Sequence, residues 1–177
     1  MPDQPPGFVI DANVLIDYAD SDPSILTLFS KHIGTIHVIT DVLEKVEQLN
    51  VKECRRLGLV IAEPTLEQYL EAGKKIPGLA FDDTLCLILA RDNHWTLIST
   101  DKALRSACKN ANIPLLWGLE LMLPLVEKNL LPAPFALKTA AHIHALNPKF
   151  VNQQILERFT AKISELKLKV RQKKIIK

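Results

Sequence analysis

Short apolar runs alternating with amphipathic stretches constrain this chain more than any other feature. The runs fall at residues 7–10, 35–39, 59–61, 96–99 and 114–116, and each is rich in β-branched residues or Leu, the composition of a strand. Helical patterns lie between them. Residues 22–31 open with Asp-Pro-Ser, a helix start signal. Residues 41–49 carry Val42, Val46 and Leu49 at helical spacing. Residues 65–75 begin with Thr65 and Gln68 at the spacing of a capping box. Residues 81–93 set Leu85, Leu89 and Ala90 on one side, and residues 102–111 follow Asp101, a natural N-cap. Such alternation predicts an α/β fold with a central, mostly parallel sheet covered by helices on both faces. After Trp117 the alternation stops, and helical stretches punctuated by Pro132, Pro134 and Pro148 follow. The 177 residues therefore divide into a domain at 1–131 and a helical extension at 132–177. In the last helix Ile155, Phe159, Ile163, Leu166 and Val170 form one apolar stripe that must pack on something.

The first run, in "FVIDANVLID", ends on a carboxylate, Asp11. An ionised Asp at the end of a buried strand is costly unless something pairs with it. Helix capping is one explanation. Other acids fall at similar places: Asp41 and Glu44 after the second run, Asp83 (preceded by Asp82) at the start of the long helix, and Asp101 after the fourth run. In an open α/β sheet ligands bind outside the carboxyl ends of the strands. Several acids meeting there repel unless a cation lies among them. Carboxylate oxygens suit Mg2+ or Mn2+ rather than zinc. His32, His37, His94, His142 and His144 do not follow these strand ends and read as surface or packing residues. Cys54, Cys86 and Cys108 form no C-x-x-C pair, which argues against a zinc site or a disulfide framework. Cys86, in "LCLILA", reads as core packing.

Three segments in order carry a resemblance: "VIDANVLID", "FDDTLCLILARDN" and "LISTDKALR". Over roughly residues 8–117 the chain resembles the PIN-domain family of metal-dependent ribonucleases, which includes VapC-type toxins. The resemblance implies a three-layer α/β/α fold and makes Asp11, Asp83 and Asp101 the metal-site acids, with Mg2+ or Mn2+ as cofactor. It makes Asn13 and Ser99 the polar residues that orient them. The family's remaining acid is a Glu early in the helix after the second strand. Here Lys45 occupies that register; Glu44 is one residue away and is favoured over Glu47. The activity implied is hydrolysis of RNA phosphodiester bonds, with Lys102 and Arg105 either holding substrate phosphates or offsetting local negative charge. For small bacterial members it further implies a toxin paired with an antitoxin protein.

The alternatives are a weak or inactive PIN-like scaffold that binds RNA or a protein through its basic C-terminal helix, and a phosphoacceptor signalling domain. Residues 162–177 hold seven Lys or Arg against one Glu, leaving 15 of the 22 basic and 19 of the 20 acidic residues in the rest of the chain. A basic tail on an acidic body suits contact with phosphates or a solvated helix end. The extension would serve as a dimer surface, an antitoxin groove or an RNA clamp, and a homodimer is expected. No apolar run approaches the roughly 20 residues of a membrane span, and "MPDQPPG" lacks the pattern of a secretory signal, so a cytoplasmic location is expected.

Overall fold

Five strands form one parallel sheet: β1 (Gly7–Ile10), β2 (Thr35–Ile39), β3 (Val60–Ala62), β4 (Thr96–Ile98) and β5 (Leu115–Leu116). This computed structural model describes residues 5–175, with side-chain surroundings as far as Leu168. The order across the sheet is β3-β2-β1-β4-β5, with every pair parallel. The chain builds outward from β1 to β3, then returns to the other side of β1 for β4. That reversal makes a topological switch point between β1 and β4, the place where open α/β sheets form a crevice beyond the strand ends.

Helices α1 (Ala12–Ser21) and α2 (Ser24–His32) connect β1 to β2. Helices α3 (Thr40–Leu43) and α4 (Val51–Arg56) lead from β2 to β3. Helices α5 (Leu66–Ala72) and α6 (Phe81–Asn93) connect β3 to β4, and α7 (Lys102–Asn110) connects β4 to β5. Right-handed crossovers running in opposite directions set the helices before and after the switch on opposite faces of the sheet. Val9, Ile10, Ile36, Val38, Ile39, Leu97 and Ile98 are accordingly fully buried, as strands covered on both faces require. Phe8 and Phe29 meet edge to face at 4.9 Å, a geometry worth about 1 kcal/mol beyond burial.

A 3-10 turn at Gly118–Met122 and helices α8 (Leu123–Glu127), α9 (Ala133–Leu146) and α10 (Gln153–Ile175) complete the fold. Helix α9 packs on α1, and α10 packs on α8 and α9. Asn147 closes α9 and donates to buried Asp17 of α1 at 2.7 Å. Phe159 and Ile163 of the apolar stripe are buried, with Ile155 partly buried against the core. The Val170 side chain, and those of the basic residues from Lys169 onward, lie outside the described residues. Gly118 admits a close approach: a Cβ there would stand 2.6 Å from Thr100 Oγ1. Its carbonyl accepts from Tyr18 at 2.8 Å, tying the turn to α1 beside the end of β4.

Two sequence expectations differ. Residues 41–49 are not one helix; α3 stops at Leu43, and α4 restarts after Asn50 with a full Asn50–Glu53 capping box. Residues 118–131, expected as one helical stretch, hold a 3-10 turn and the short α8, with Pro124 in the first turn of α8. Among the described residues no helix is long and apolar enough to cross a membrane.

Candidate active site

Asp11 leaves the end of β1 and does two things at once. Its Oδ1 caps α1, accepting from Val14 N–H at 2.8 Å. Its Oδ2 is buried and has no hydrogen-bond partner. Capping thus explains one oxygen and not the other. Burial, first of all, pushes the carboxyl up to about 7, with the charge of Asp83 adding to the rise; Ser99 and the Val14 amide oppose it.

Asp83 stands in the first turn of α6, where a carboxylate suits the helix dipole. Burial raises its pKa to about 6, and the charges of Asp82 and then Asp101 add to the rise. Asp101 leaves the end of β4 and caps α7 through Leu104 N–H at 2.8 Å. Its own N–H donates to Ser99 Oγ at 3.0 Å. Ser99 is fully buried and near enough to Asp11 to lower its pKa. Asn13, in the first turn of α1, is partly buried and makes no side-chain hydrogen bond among the described residues. Thr100, between Ser99 and Asp101, has a buried hydroxyl oxygen with no partner.

The α3 side of the crevice differs from the expectation built on Glu44. Glu44 closes α3, is exposed, and is felt electrostatically by Tyr69, which donates to Asp41 at 2.7 Å. Glu47 is exposed as well. Lys45 turns toward the acids, pairing with buried Asp82, and its charge also lowers the Asp83 pKa. A cation therefore reaches the crevice from the segment expected to supply a fourth acid. The sequence carried Lys45 and Asp82 in plain view, but nothing local signals an ion pair between residues 37 apart.

The donor set suits a hard cation: all-oxygen, with the orphaned Asp11 Oδ2 buried at the switch point. Among the described residues, no three His, Cys, Asp or Glu side chains stand close enough to enclose an ion as they are placed. His and Cys contribute nothing here; Cys86 is a buried thiol whose pKa burial pushes well up.

No protein-family model and no curated protein matches the chain. Among solved structures it is similar to a PilT N-terminus domain protein from the hyperthermophilic archaeon Sulfolobus solfataricus P2. The identity is 14%, and the TM-score is 0.49 over 67% of this chain and 92% of that one.

Proposed function

We propose that this protein is a divalent-metal-dependent ribonuclease of the PIN-domain type. The observation that carries the reading is the buried, unpartnered Asp11 Oδ2 at the switch point, within electrostatic reach of Asp83. The ordered motifs around Asp11, Asp83 and Asp101 support it. When bound, Mg2+ or Mn2+ acidifies water and neutralises charge developing on a phosphate. Asp11, Asp83 and Asp101 would supply the carboxylates that hold the ion. Ser99 accepts from the Asp101 main-chain N–H and lowers the Asp11 pKa, so it would help to position the two residues. Hydrolysis needs no covalent enzyme intermediate, so no Ser–His or Cys–His pair is required.

The purified protein is expected to cleave RNA in Mn2+ or Mg2+, to lose cleavage in EDTA, and to lose it in Asp11→Asn. The scaffold reading draws on Lys45 at the register of the fourth acid. RNA binding with no cleavage in either metal would favour it. A small adjacent gene encoding a DNA-binding antitoxin would support the toxin setting.

A further inference from the structure

A second charged feature begins one residue beyond Asp101. The guanidinium carbons of Arg105, on α7, and Arg158, on α10, lie 3.7 and 4.1 Å from the centroid of the Trp117 ring. With Lys102 and Gln154 they line an open cleft of about 460 Å3. Two guanidiniums on one indole repel each other, and the ring face offsets only part of that. The protein supplies little further compensation. Glu120 sits behind Arg158 at 3.1 Å but is shared with Lys162 at 2.6 Å. Among the described residues Arg105 makes no ion pair; its Nε donates to the Asp101 carbonyl at 3.2 Å. The cleft is thus short of negative charge, while the crevice beside it has too much.

We infer that this cleft is a phosphate-binding groove, and that it takes the single-stranded RNA segment flanking the phosphate held at the acidic site. Arg105 and Arg158 present planar donors that fit phosphate oxygens in pairs. Trp117 is a positioning residue: it holds both guanidiniums in place before the strand arrives, so little side-chain freedom is lost on binding. The connection to the acidic site is short, because the Arg105 Nε donates to the main-chain carbonyl of Asp101. Helix α10 therefore completes the substrate path with a residue from the C-terminal extension. The identity of the strand rests on the ribonuclease reading, but its capture does not depend on cleavage.

The test is binding without chemistry. Anisotropy of a fluorescein-labelled single-stranded RNA is titrated with the full chain in EDTA at several salt concentrations. The double variant Arg105→Gln/Arg158→Gln is expected to bind roughly 10-fold or more weakly at low salt. Its slope of log affinity against log salt should shrink by about 1 to 2, the loss of two phosphate contacts. The charge-matched pair Lys52→Gln/Lys138→Gln, on exposed helix positions away from the cleft, is expected to keep both affinity and slope. Trp117→Phe, which retains an aromatic face, should fall between wild type and the double variant. Arg158 is exposed on α10, so Arg158→Gln alone, checked by circular dichroism, reads the groove even where Trp117→Phe misfolds. Unchanged affinity and slope in the double variant would overturn the groove while leaving cleavage untouched. No RNA binding by the wild type, or equal variant-sensitive binding of polyglutamate, would overturn it too. Loss of binding in the variants, in a protein that never cleaves RNA, would keep the groove and remove the nuclease.

Discussion

The two ends of α6 carry acids in opposite circumstances. At its C-terminal end Arg91 forms ion pairs with Glu71 at 2.6 Å and Asp92 at 2.7 Å, and both carboxyls are held below their ordinary range. For Glu71 the bond to Arg91 is the largest influence; for Asp92 the bonds from Gln68 and Arg91 overcome its partial burial. At the N-terminal end Asp83 is raised to about 6, and Asp11 beside it to about 7. One helix, built from one local pattern, thus ends in a surface cluster that is satisfied by the protein and begins in one that is not. Satisfied surface pairs contribute little. Unsatisfied buried acids cost stability and persist where something outside the chain completes them.

Asp11→Asn breaks this contrast most severely. RNA cleavage is expected to fall by about 10²-fold or more, since an amide is a poor ligand for a hard cation. The same change should raise stability in EDTA at pH 8 by on the order of 1 kcal/mol, because Asn can still cap α1 and carries no buried charge. A gain in stability alongside a loss of activity, measured by urea unfolding and RNA cleavage, separates a functional acid from a structural one. A loss of both would make Asp11 a plain cap.

The pH dependence sharpens the same point. Asp11, Asp83 and Asp17 all have folded pKa values above their ordinary 3.8, at about 7, 6 and 6, burial being the largest cause in each. The folded state then binds protons more readily than the unfolded chain. In EDTA, the stability these groups contribute is expected to be full below about pH 4 and to be lost as pH rises from there through 6 and 7, by on the order of several kcal/mol. Mn2+ should restore the share due to Asp11 and Asp83 at pH 8 and do little at pH 5, as read by thermal unfolding.

Lys45→Ala is expected to act in two directions. Leaving buried Asp82 without its partner should cost about 1–2 kcal/mol in urea unfolding. Removing a cation that lowers the Asp83 pKa should tighten Mn2+ binding several-fold by calorimetry. The smallest effect belongs to the other end of α6. Glu71→Gln should change stability by less than about 1 kcal/mol and leave cleavage and metal binding alone.

Much of the scaffold was legible because it is local. Gly7–Ile10 and Thr35–Ile39 are strands at their expected bounds, the Thr65–Gln68 capping box forms, and Asp101 caps α7. The break between α3 and α4 was masked by Val42, Val46 and Leu49, whose helical spacing persists although only the first lies in a helix. The Asn50–Glu53 box that restarts the chain is a local signal in the sequence. The site was legible only as a set of strand-end acids. Which oxygen of Asp11 is left over, and which α3 neighbour turns inward, depends on packing between distant segments. The same holds for Trp117, whose two cation partners come from α7 and α10.

The central claim is that a divalent cation completes the acids at the switch point. Crystals grown at pH 8 and soaked in Mn2+ test it directly by anomalous diffraction. The expected result is an anomalous peak within bonding distance of Asp11 Oδ2 and of a water or carboxylate on the Asp83 side. Full Mn2+ exposure with no peak there, and Asp11 Oδ2 instead satisfied by a protein or water donor, would contradict it.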